Sequence, residues 1–126
     1  GGRARYKVET LAVMMARHGH DAVTVLRMDV EGAEWDVLAE WLESGALLRI
    51  VDQLLLEIHL YRPRGDAGKL HDLLAKMRDA ARWDLFWTAR NRWDDRRLHG
   101  DMTRVHELGF ISSGNSGRNV LFTGSP

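Results

Sequence analysis

Residues 25–38 read Val25-Leu26-Arg27-Met28-Asp29-Val30-Glu31-Gly32-Ala33-Glu34-Trp35-Asp36-Val37-Leu38. An apolar run ends in acids, turns at a glycine and resumes with a different period. Val23 to Val30 is β-branched and apolar, which is strand composition. Trp35 to Ser44 carries Val37, Leu38, Trp41 and Leu42 at helical spacing, and Gly45 is placed to stop it. A strand feeding a helix is the first part of a βαβ crossover, so the stretch predicts an α/β fold.

Upstream, Thr10 is suited to cap a short helix with Leu11, Met14 and Met15 on one side and Gly19 as its stop. Downstream, Ile50 to Tyr61 is a second strand, apolar on both faces as in a sheet covered on both sides by helices. After a turn at Arg62–Asp66, the spacing of Leu70, Leu73, Leu74, Met77 and Ala81 predicts an amphipathic helix. Asp84 to Trp93 is expected as a third strand, Asp94 to Asp101 as loop, Val105 to Ser112 as a fourth strand and Asn119 to Thr123 as a short fifth. The last strands have no helix between them and should pair antiparallel. The expected architecture is a mixed sheet, mainly parallel with a C-terminal antiparallel hairpin, in a three-layer αβα arrangement.

The chain has 126 residues, which suits a single unit spanning 1–126. Hydrophobic residues are 44% and charged residues 29%, the balance of a soluble globular protein rather than a disordered tail or a membrane span. Leu54 to Leu60 is the longest strongly apolar run, and Glu57 and His59 interrupt it. With 18 basic and 18 acidic residues the chain lacks the long-range field of a nucleic-acid binder. No cysteine is present, so thiolate metal sites and a cysteine nucleophile are excluded.

Ligands of open α/β sheets bind beyond the carboxyl ends of the strands. Asp29 and Glu31 lie at the end of the first strand and Glu57 and His59 at the end of the second. Residues two apart on a strand share a face. If the strands are neighbours, three acids and an imidazole converge on one rim. Glu57 sits inside an apolar strand, where a carboxylate needs a partner, either a ligand or a salt bridge. Glu34 falls in the first turn of a helix, where the dipole favours an acid, and a structural role suits it. Trp35 and Trp87 are candidates for stacking on a ligand. His18 and His20 flank a helix-ending glycine, where they suit capping better than metal binding.

The quoted segment closely resembles the "K-I-D-V-E-G-A-E-x-x-V-L" motif of FkbM-type and related methyltransferase-like proteins, with Arg27 and Met28 in place of Lys and Ile. Leu54-Leu55-Leu56-Glu57-Ile58-His59 is similar to the "L-x-x-E-I-H" strand of the methyltransferase-like branch, and a helix ending in Gly19-His20 suits it too. The resemblance implies a Rossmann-like, partial class I methyltransferase fold that uses S-adenosylmethionine. The acidic strand would be its fourth and the E-I-H strand its fifth. It puts Asp29, Glu31, Glu57 and His59 at the catalytic edge and Asp29 and Trp35 near the cofactor. The four edge residues are candidates for a general base or for ligands of a divalent cation, which nothing in the sequence further supports.

The glycine-rich turn and the ribose-binding acid of that family are not found in these residues, so the chain is expected to be the C-terminal, acceptor-side portion of the domain. Its first strand would then present an open edge, to be paired by the N-terminal half or by another copy. The competing expectations are a non-catalytic interaction module or degenerate methyltransferase subunit, and a metal-dependent hydrolase.

Overall fold

The computed structural model describes residues 8–60, 65–91 and 104–113. Helix α1 (Leu11–His18) leads into strand β1 (Val23–Met28), helix α2 (Glu34–Ser44), the short helix α3 (Ala46–Ile50) and strand β2 (Val51–His59). Helix α4 (Ala67–Asp79) and strands β3 (Trp83–Arg90) and β4 (Val105–Ser112) follow.

Local signals start and stop these elements. The Thr10 hydroxyl accepts from the Val13 N–H, and Gly19 closes α1 in the left-handed region at φ 69°. Gly45 closes α2 the same way at φ 66°. The Ser44 hydroxyl then accepts from the Ala46 N–H at 3.2 Å, which starts α3, an element the sequence reading did not anticipate. Asp66 caps α4 through Lys69 N–H at 2.9 Å.

The sheet order is β1-β2-β4-β3. Strands β1 and β2 pair parallel, while β4 pairs antiparallel with both β2 and β3. The expectation of a mainly parallel sheet is therefore corrected: one of the three described pairings is parallel, because β4 returns between β2 and β3. The connection 92–103 and the fifth strand expected at 119–123 lie outside the described residues.

One face of the sheet carries the core. Leu54, Leu56 and Ile58 of β2 and Leu108 and Phe110 of β4 pack in a single cluster with Leu38 of α2 and Leu70, Leu73 and Met77 of α4. The opposite face carries Val25 and Arg27 of β1, Leu55 and Glu57 of β2, and Glu107 and Gly109 of β4, matched by register. Val25 there is 48% exposed and Trp87 43%. The described helices thus supply one covering layer. Two of the three expected layers are seen among the described residues.

Candidate functional site

Strands β1 and β2 lie side by side and parallel, so their carboxyl ends share one rim. Arg27 is level with Leu55 and Met28 with Leu56, which brings Asp29, the next residue on that face, level with Glu57. Asp29, Glu57 and His59 each present one ligand-type atom, and these atoms lie within 4.8 Å of one another. Glu31 Oε2 is 3.6 Å from His59 Nε2, and Glu57 Oε1 is 3.8 Å from it. All four rim residues nominated from the sequence are brought together.

The route by which Glu31 arrives differs from the expected one. Composition extends the first strand to Val30, yet β1 ends at Met28 and the chain turns through residues 31–33. Glu31 takes φ 52° and Gly32 φ 97°. A left-handed glutamate costs on the order of 1 kcal/mol, and such strain tends to gather at functional sites. The turn leaves the Glu31 side chain 81% exposed while its carboxylate still faces the imidazole.

Behind the rim sits Glu34, which has no exposed surface. Its Oε2 accepts from the Gly32 N–H at 2.7 Å. Its Oε1 accepts from the His59 backbone N–H at 2.7 Å and meets His59 Nδ1 at 2.8 Å. The next residue grips the same histidine from its other side: Trp35 Nε1 donates to the His59 carbonyl at 2.8 Å. The Trp35 ring in turn lies against Gly65, where an added Cβ would fall 2.2 Å from a ring carbon. The contacts of Trp35 therefore hold the end of β2. Glu34 and Trp35 open α2, so the start of that helix is fastened to the last residue of β2.

Two contributors escaped the sequence reading. Glu34 was given only its helix-end role, because its partner lies 25 residues downstream. Asn91, which falls in the expected third strand with no role of its own, donates from Nδ2 to Glu57 Oε1 at 3.0 Å. This amide hydrogen helps to orient the Glu57 carboxylate. A pocket of about 130 Å³ adjoins the rim on the sheet face opposite the core, lined by Arg27, Leu55, Glu57, Trp87 and Glu107 among others. Trp87, the second stacking candidate, sits there. The His18 and His20 rings stack with centroids 6.3 Å apart around the Gly19 cap, away from the rim.

Carboxylates and an imidazole on one rim can take a proton from an acceptor hydroxyl or amine, and they are also donors suited to a divalent cation. In comparison with known families, the model described as the Methyltransferase FkbM domain fits residues 2–110. No curated protein matches the chain, and no solved structure does.

Proposed function

Because the chain belongs to the FkbM methyltransferase domain family, we propose that it serves methyl transfer from S-adenosylmethionine, with the β1/β2 rim on the acceptor side. The observation that carries this reading is the meeting of Asp29, Glu57 and His59 at the ends of two parallel strands within the matched region. S-adenosylmethionine would supply a sulfonium methyl to the acceptor's oxygen or nitrogen, its C–S electron pair staying on sulfur as S-adenosylhomocysteine. The acceptor's proton passes to the rim, with His59 Nε2 as base and the carboxylates stabilising the imidazolium that forms. Asp29 is the rim residue assigned to the cofactor side.

We read residues 1–126 as the acceptor-side portion of such a domain, with most of the cofactor's contacts supplied from outside it. Titration calorimetry with S-adenosylmethionine tests this on the chain and on a form extended at its N-terminus. The expected result is saturable binding by the extended form and little by the chain alone. Binding by neither removes the enzyme reading and leaves a non-catalytic interaction module.

A divalent cation is the second reading of the same rim, favoured by three donor atoms within 4.8 Å. Mn²⁺ titrated into the chain would then bind saturably and lose that binding in Asp29→Asn and Glu57→Gln. Indifference of Mn²⁺ binding to both changes excludes it.

A further inference from the structure

We infer that Glu34 is a positioning residue that decides which nitrogen of His59 works at the rim. This deepens the rim reading above and rests on His59 being its base or ligand. Glu34 is fully buried, and the His59 side chain is 5% exposed, so neither group is oriented by bulk water. Two carboxylate oxygens meet three N–H donors: Gly32 N–H, His59 N–H and the ring Nδ1–H of His59. A carboxylate only accepts, so a nitrogen at 2.8 Å from it carries the hydrogen. The hydrogen on Nδ1 is thereby placed, and Nε2 is the nitrogen turned toward the rim.

The geometry gives that assignment a direction. Nε2 faces Glu31 at 3.6 Å and Glu57 at 3.8 Å, and Asp29 completes the group. Glu34 Oε1 takes both the backbone and the ring N–H of one residue, so it sets the strand end and the ring rotation together. The Trp35 bond to the His59 carbonyl fixes the remaining side of the peptide. Glu34 touches no reacting atom in this arrangement. Its work is done through His59, as an outer carboxylate orients a catalytic or metal-binding imidazole.

The test is a long-range proton–nitrogen NMR correlation of the His59 ring in the full chain, at a pH where the ring is neutral. In the wild type the Nδ1–H tautomer is expected to dominate. An Nε2–H tautomer there overturns the inference without any variant. In Glu34→Gln the amide cannot accept from all three donors, and the population should move toward Nε2–H. An unchanged tautomer in a folded Glu34→Gln also overturns it. Trp35→Phe keeps Glu34 and should keep the Nδ1–H form, which separates ring positioning from general loosening of the strand end. Should Glu34→Gln fail to fold, the wild-type spectrum still decides. Because the readout needs no methyl donor, failure of S-adenosylmethionine binding and failure of this inference are told apart.

Discussion

At the residue scale, a carboxylate without exposed surface persists only if donors replace the water it gives up. Glu34 has three such donors, and Glu34→Ala would strand all of them. The expected cost is about 3 kcal/mol or more, read as a lower urea midpoint at unchanged slope. Trp35→Phe removes one neutral bond to the His59 carbonyl and should cost about 1 kcal/mol. Gly65→Ala forces a Cβ into the Trp35 ring and should cost roughly 1–3 kcal/mol, with less than additive loss when combined with Trp35→Ala. The sequence displayed the rim acids and the imidazole openly, since they lie near or just beyond the ends of two apolar strands. It did not display the grip on them. Glu34 looks like any first-turn acid until β2 is folded beside it, and Asn91 is one polar residue among charged neighbours until β3 ends next to Glu57.

At the element scale, periodicity and caps were legible because they act within a few residues. Thr10 and Gly19 cap where their chemistry says they should, and Asp66, read only as the end of a turn, caps α4. Asp66→Ala and Thr10→Ala should each cost about 1 kcal/mol, measurable as a lower thermal midpoint, with Gly substitutions milder. Strand ends were less legible. The first strand stops two residues short of the expected Val30, since the positive φ at Glu31 is a turn property that apolar composition does not report. In β3 a register shift between Leu85 and Trp87 places Phe86 beside Gly109, where a Cβ would come within 3.0 Å of the ring. Gly109→Val should therefore disturb the β3/β4 pairing, seen as faster amide exchange along both strands.

For the whole molecule, the alternation of strands and helices gave the α/β class, but strand order was not contained in it. Placing β4 between β2 and β3 depends on long-range pairing that local spacing does not specify. The consequence is an asymmetric sheet. Among the described residues β1 pairs only with β2, and its Val25 is half exposed. Such an edge invites a further strand. We propose that it is closed by the N-terminal portion of the domain or, failing that, by a second copy. Light scattering of the chain should show a concentration-dependent dimer, and Val25→Lys should shift it toward monomer. A monomer at all concentrations would count against that edge as a docking line.

From the family match and the β1/β2 rim together, we propose that methyl donor and acceptor come together over Asp29, Glu57 and His59. The most direct measurement is to add S-adenosylmethionine to the N-terminally extended protein and follow the NMR signals of those three side chains. The account predicts saturable shifts at all three, centred on the same dissociation constant. Cofactor binding that leaves the rim signals unmoved would contradict it.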